Sequence, residues 1–268
     1  MSAPEAWHVT RTLRAMELLA VAPRSAPELA DGLGVHVRTA RRVLKRLESE
    51  GYVALSDDRR RRYRPTMRIV ALAGQVVERA ELTQTAVPHV AALREELGRG
   101  CHFCVPSYLS ALCLVHDAGD VGSGCRPHLR ELVPCHCTAA GKALLAWRDS
   151  WREAVLAESL ESFTDRTTTG PESLRRELGR TVARGYAVED REYEPDTRGL
   201  AAPVFADAGE AVAALAVVAR TADLPADRYG EVGDAVMRAA AALSRELGFV
   251  APADHPEATA SVPRARAA

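Results

Sequence analysis

The segment from Val37 to Gly51 constrains the chain most, because it spells out a helix with two opposed faces. Ala40, Val43, Leu44 and Leu47 follow the i, i+3, i+4, i+7 spacing of a buried helical stripe. Arg38, Arg41, Arg42 and Lys45 repeat that spacing two residues earlier, which sets them roughly 160° around the axis from the apolar stripe. One face packs while the other meets a polyanion, and double-stranded DNA is the polyanion that fits.

The flanking residues complete a recognisable unit. Val9, Leu13, Met16 and Ala20 keep helical spacing up to the stop at Pro23. Ser25 and Glu28 fit a capping box for a short helix that turns Leu29, Ala30 and Leu33 inward. Gly34 sits where a tight turn must separate that helix from the two-faced one. Tyr52, Val53 and Leu55 read as a strand, Asp57 and Asp58 as a turn, and Arg59, Arg60, Arg61 and Arg62 as a second arm returning through Tyr63. This order predicts a winged helix-turn-helix. His36, Arg38, Thr39 and Arg42, near the start of the second helix, are the candidates for base edges, and Arg41 and Lys45 complete its basic face. The hairpin arginines are placed for phosphates or the minor groove.

Charge separates this head from the rest. Residues 1 to 65 carry 13 Lys or Arg against 8 Asp or Glu, while the remainder carries 22 against 28. A basic head on an acidic body is what a nucleic-acid-binding end joined to a second function produces. The 268 residues, 47% of them hydrophobic, are enough to bury a sizeable core. With neither a signal-peptide pattern nor an apolar run of membrane-spanning length, the expected location is cytoplasmic, without a membrane partner.

Four segments are expected: a DNA-binding head at 1–65, a linker helix at 66–84, a second domain at 85–250 and a disordered Ala/Pro-rich tail at 251–268. Ile69, Leu72, Ala73, Val76, Val77 and Ala80 give a helix from Met67 to Leu82 more apolar surface than a lone connector needs, so it either rests on the body or pairs with a second copy, and the single reading head favours a pair. A further helix is read from Val87 to Leu97. Strands around Phe103 to Val105, Leu112 to Val115, Leu200 to Phe205 and Val212 to Val218 alternate with helices at 138–147, 173–184 and 232–247. Gly-containing turns are expected at 119–124 and 207–209. The mixture predicts an α+β domain around an antiparallel sheet.

Three runs carry a family resemblance. Pro134-Cys135-His136-Cys137-Thr138-Ala139-Ala140-Gly141-Lys142-Ala143-Leu144-Leu145-Ala146, then Gly185 to Asp190, then Leu200 to Phe205 resemble, in order and spacing, the IclR family of bacterial transcription regulators. The likeness spans roughly residues 7 to 249. It implies a winged helix-turn-helix, a linker helix and a GAF-like effector-binding domain, in homodimers or homotetramers that repress or activate promoters when a small metabolite binds.

The residues alone fit either a tightly packed helix start or a ligand site, and the resemblance points to the ligand site. The first N–H groups of a helix beginning near Thr138 lack internal partners and favour a carboxylate. Thr138 can cap that helix, and Ala139, Ala140 and Gly141 are small enough for a ligand to approach the backbone. With His136 and Cys137, these are the expected effector contacts. The resemblance adds Glu189, Gly199, Ala216 and Val218. Family members often have Asp at the first of these, Cys at the second and small hydroxyl residues at the last two, so the departures favour a more apolar ligand than a small hydroxy- or keto-acid.

Six cysteines fall between Cys101 and Cys137, interleaved with His102, His116, His128 and His136. Burial as small apolar side chains is the main expectation. An alternative makes the Cys/His cluster 101–137 a redox or metal sensor, most sharply at Cys135, His136 and Cys137. Cys101 and Cys104 are at odd separation and should face opposite sides of a strand. No cofactor is expected, since Gly141-Lys142 lacks the Ser/Thr and the first Gly of a phosphate loop. Nor does an enzyme assemble, because Lys142 and His136 have no evident third partner.

Overall fold

The computed structural model describes residues 3–56, 59, 61–78, 80–118, 128–206 and 211–250. The expected turns at 57–58, 119–124 and 207–209, Arg60, Cys125 and the tail lie outside the described residues. The chain divides into two compact units, Met1–Arg79 and Ala80–Ala268.

The first unit runs α1 (Ala3–Val21), α2 (Ala26–Leu33), α3 (Val37–Ser49), β1 (Val53–Leu55), β2 (Tyr63–Pro65) and α4 (Met67–Glu78). Ser25 and Glu28 form both halves of the capping box at α2, and Gly34 ends that helix at φ 61°. That left-handed turn suits a residue without Cβ. Ala15, Leu19, Leu29, Ala30, Ala40, Leu44, Leu47 and Val53 make the core, each fully buried leucine contributing about 1.5–3 kcal/mol relative to exposure. The expected stripe on α1 is displaced: Val9 and Leu13 are 53% and 61% exposed, while Ala15 and Leu19 are buried. Periodicity fixed the helix but not which of two apolar phases faces α2 and α3.

In the hairpin, Val53 pairs with Pro65, Ala54 with Arg64 and Leu55 with Tyr63. Arg24 also bridges to Tyr63. The returning arm therefore begins at Tyr63, and Arg59, Arg61 and Arg62 precede it; Arg61 has φ 52°.

The second unit contains α5 (Glu81–Leu97), β3 (Gly100–Ser107), β4 (Ser110–Asp117), β5 (Leu132–Pro134), α6 (Ala139–Ala146), α7 (Asp149–Leu156), α8 (Pro171–Arg184), β6 (Ala187–Asp190), β7 (Thr197–Phe205), β8 (Ala211–Arg220) and α9 (Tyr229–Glu246). The strands form one sheet in the order β5-β4-β3-β8-β7-β6, antiparallel throughout. On one face, Cys104, Cys113, Ala214 and Ala216 pack with α6 and with Leu174 and Leu178 of α8. On the other, Cys101, Phe103, Leu215 and Val217 pack with Val90 and Leu93 of α5 and Val232 and Val236 of α9. Cys101 and Cys104 thus lie on opposite faces, as alternation requires.

Helix boundaries differ from expectation most at α4 and α5, while α8 and α9 begin two and three residues early. The connector helix ends at Glu78, and Leu82 belongs to α5, which starts at Glu81 and carries Pro88 inside it. The helix read from Val87 therefore begins earlier than expected, and Pro88 lies on an exposed side of it. The short α7 went unread.

Candidate functional site

In the first unit, α3 shows the two faces its sequence spells. Ala40, Leu44 and Leu47 are buried, and Arg38, Arg41, Arg42 and Lys45 are exposed. His36 is the N-cap of α3: its Nδ1 accepts a hydrogen bond from the Arg38 N–H at 3.2 Å. That leaves Nε2 as the edge of His36 turned to partners. Thr39 is half-buried.

The hairpin arginines differ among themselves. Arg59 and Arg61 are exposed. Arg62 donates from Nη2 to Glu28 Oε1 at 3.1 Å, and its carbonyl accepts from the Ser56 N–H at 2.7 Å. Glu28 Oε2 accepts from the Ser25 N–H at 2.7 Å. One carboxylate therefore caps α2 and holds the base of the hairpin. These hydrogen bonds, from Ser25 first and with Arg62 assisting, keep Glu28 below the usual carboxylate range.

In the second unit, Thr138 caps α6 by accepting from the Gly141 N–H at 3.3 Å and donates to the Pro134 carbonyl at 2.6 Å. All eight residues of α6 are buried. A cavity with about 480 Å³ of empty volume, counting its mouth, opens at the start of this helix. Of the expected contacts, Thr138, Ala139, Glu189, Ala216 and Val218 line it, and His136, Cys137, Gly141 and Gly199 do not.

Each residue off the wall has a physical reason. A Cβ on Gly141 would stand 2.3 Å from the Cys135 Cα, so this glycine admits the chain's own backbone rather than a ligand. His136 Nε2 is 2.8 Å from the Glu161 carbonyl oxygen, and burial lowers its pKa. Cys137 is buried, with its thiol pushed up by desolvation. Gly199 pairs with Glu189 across β7 and β6, and a Cβ there would meet Glu189 Oε2 at 3.0 Å and the Ala139 Cβ at 3.2 Å. The Glu189 carboxyl is thereby seated beside the first turn of α6.

Glu189 is 4% exposed. Burial pushes its carboxyl up to about 8, against the opposing pull of Lys142, which favours the protonated form, able to donate an O–H. The Tyr193 N–H approaches its Oε1 at 3.5 Å. Behind it, the fully buried Lys142 pairs with Glu192 at 2.5 Å.

The wall also has residues that sequence reasoning did not place there: Val133, His102, Cys104, Cys113 and His128. Tyr193 and Glu194, and Thr197 at the start of β7, line it as well. His128 lies 3.1 Å from Glu131 and 3.5 Å from Glu194, and these carboxylates, Glu194 first, hold its pKa above the ordinary value. Polar groups absent at Ala216 and Val218 thus enter from other elements. The interleaved Cys and His residues were the visible signal, but only strand register turns them toward one side. The alternative at Cys135, His136 and Cys137 finds no geometry in its favour: His136 is engaged elsewhere and both thiols are raised by burial. Among the described residues no group of three metal-ligating side chains occurs.

A helix-turn-helix with a basic outward helix, followed in the chain by a unit built on an antiparallel sheet, defines a DNA-binding regulator. Comparison with known proteins agrees. Residues 8–56 match the IclR helix-turn-helix domain and residues 74–245 match the bacterial transcriptional regulator IclR C-terminal family. The chain belongs to the IclR family of transcriptional regulators. The HTH-type transcriptional regulator BhcR of Paracoccus denitrificans is 32% identical over 89% of this chain and 85% of its own length. The uncharacterized regulator RhmR of Escherichia coli is 28% identical over 92% and 95%. An IclR homologue from Microbacterium hydrocarbonoxydans, solved in complex with 4-hydroxybenzoate, shares the fold at TM-score 0.73 and 24% identity, over 90% of this chain and 99% of its own. No helix among the described residues is long and apolar enough to cross a membrane.

Proposed function

We propose that this regulator reads a double-stranded DNA operator through α3 and the hairpin, and that a small-molecule carboxylate in the α6 cavity sets its DNA affinity. The observation that carries the reading is the meeting, at one cavity, of the first residues of α6 with the nearly buried Glu189. Helix N–H groups and a neutral carboxylic acid are all donors, and a carboxylate accepts from both. The 4-hydroxybenzoate bound by the Microbacterium relative has that group. Apolar Val133, Ala139, Ala216 and Val218 would face the body of the ligand.

On the DNA side, His36, Arg38, Thr39 and Arg42 read bases. Arg41, Lys45 and the hairpin residues Arg59, Arg60 and Arg61 contact the backbone, and Arg62 holds the hairpin in place. Residues 1–65 act as the reading head, 66–84 as the connector and 85–250 as the effector domain. Met67, Val70 and Leu72 on α4 are 75%, 47% and 53% exposed, apolar surface on more than one side of the helix that a second copy could cover. The assembly is a homodimer or a pair of them, which places two reading heads on paired half-sites.

Ligand then acts by linkage, favouring the body conformation it binds better. The test is fluorescence anisotropy of labelled upstream fragments, repeated with a library of small carboxylic acids. An acid that shifts DNA affinity in the native chain and not in Glu189→Ala is the expected result. Shifts produced only by non-acidic compounds would sink the ligand class.

A further inference from the structure

The described cysteines are not alike. Cys101, Cys135 and Cys137 are buried thiols that desolvation pushes up. Cys104 and Cys113 are register partners on β3 and β4, belong to the same face of the sheet, and both line the cavity. Directly opposed residues of an antiparallel pair have Cα atoms roughly 4.5–5.5 Å apart, inside the span of about 4.4–6.8 Å that a disulfide bridges.

An imidazole stands beside them. Buried His102 places Nδ1 at 3.7 Å from Cys113 Sγ, and the Cys113 thiol donates to the Val115 carbonyl oxygen at 3.3 Å. The neighbouring Cys104 thiol, followed by His102, holds Cys113 down at about 5, while Cys104 is raised. A thiol in a cavity wall, with an imidazole nitrogen 3.7 Å from its sulfur and a second thiol across the strands, is the arrangement of an attacking and a resolving cysteine.

The geometry points to Cys104 and Cys113 as an oxidisable dithiol in the cavity wall, closed to a disulfide by a hydroperoxide that enters the cavity. The Cys113 thiolate attacks the peroxide, forming an S–O bond as the O–O bond breaks, and the leaving oxygen takes up a proton to become an alcohol or water. Cys104 then gives up its proton and attacks the Cys113 sulfur, forming the S–S bond and expelling the hydroxyl as water. Two thiols and one hydroperoxide become one disulfide, one water and one alcohol or second water. Cys135 neighbours Cys104, but it lies outside β3 and β4, and Cys104 is the residue directly opposite Cys113 in the ladder.

The full chain, reduced and then treated with hydrogen peroxide, tests this by intact mass and peptide mapping. A loss of two hydrogens and a cross-linked peptide joining Cys104 to Cys113 are expected. Cys104→Ser should stop at a dimedone-trapped sulfenic acid on Cys113, and Cys135→Ser should still form the link. No link, a link to another cysteine, or equal peroxide sensitivity in Cys113→Ser overturns the assignment. Because the effect on DNA rests on the cavity being the effector site, anisotropy is read separately. Oxidation should change DNA affinity about fivefold or more, reversed by dithiothreitol. A mapped Cys104–Cys113 link without that change upholds the dithiol and counts against the cavity as the effector site.

Discussion

Lys142, with no solvent exposure, places its Nζ 2.5 Å from Oε1 of Glu192, tying the buried helix α6 to the segment between β6 and β7. Burying both charges costs solvation that their mutual attraction must offset. Removing one partner strands the other. Lys142→Met should destabilise the protein by about 3–5 kcal/mol, read from urea unfolding followed by circular dichroism. Lys142→Met with Glu192→Leu should recover much of that loss, because no charge is left behind. A single variant as stable as the native chain would show that Glu192 simply takes up a proton.

Two helical glycines should respond oppositely to alanine. At Gly141 the new Cβ would lie 2.3 Å from Cys135 Cα and 2.5 Å from its carbonyl oxygen, and backbone has little room to yield. Overpacking of this kind costs about 1–3 kcal/mol or more. At Gly179, exposed on α8, nothing lies within 4 Å of the added Cβ. There alanine should stabilise by about 0.4–1 kcal/mol, by restricting the unfolded chain. Thermal melts of the two variants check both signs.

What the sequence revealed, and what it concealed, follows from the range of the interactions involved. The capping box at Ser25 and Glu28, the turn at Gly34 and the opposed faces of α3 are local, within a few residues, and all were legible. So was the start of α6, since Thr138 is its own cap. The cavity is assembled from residues as distant as His102 and Val218, brought together by the pairing of β3 with β8. No local pattern encodes that pairing, and so Gly141 read as a ligand-facing residue when it faces Cys135. The phase of α1 was concealed for the same reason.

Glu189 gives the stability a defined pH dependence. Its folded carboxyl is raised to about 8 by burial, from an ordinary value of 4.5. A raised carboxyl keeps its proton in the native state after the unfolded chain has lost it, so the stability it allows is full below the unfolded pKa and is lost as pH rises toward the folded one. Relative to Glu189→Gln, the native chain should lose Tm steadily between about pH 5 and about pH 8. Parallel Tm curves for the two proteins would show that Glu189 is ionised inside the fold.

The roles of Arg41 and Arg62 separate on salt dependence. Arg41 is exposed on α3, so Arg41→Ala should remove a phosphate contact and reduce the slope of log affinity against log salt by roughly 0.9. Arg62 is tied to Glu28 at 3.1 Å, and Glu28 already caps α2. Arg62→Ala should therefore loosen the hairpin, lowering Tm and weakening binding with the slope unchanged, because no counterion-releasing contact is lost. Glu28→Gln should reproduce the loss of Tm, since it breaks the same bond from its other end. Anisotropy titrations across a salt series, paired with melting curves, distinguish the two. If Arg62→Ala instead lowers the slope as Arg41→Ala does while Tm holds, its guanidinium reaches DNA and the ion pair with Glu28 gives way on binding.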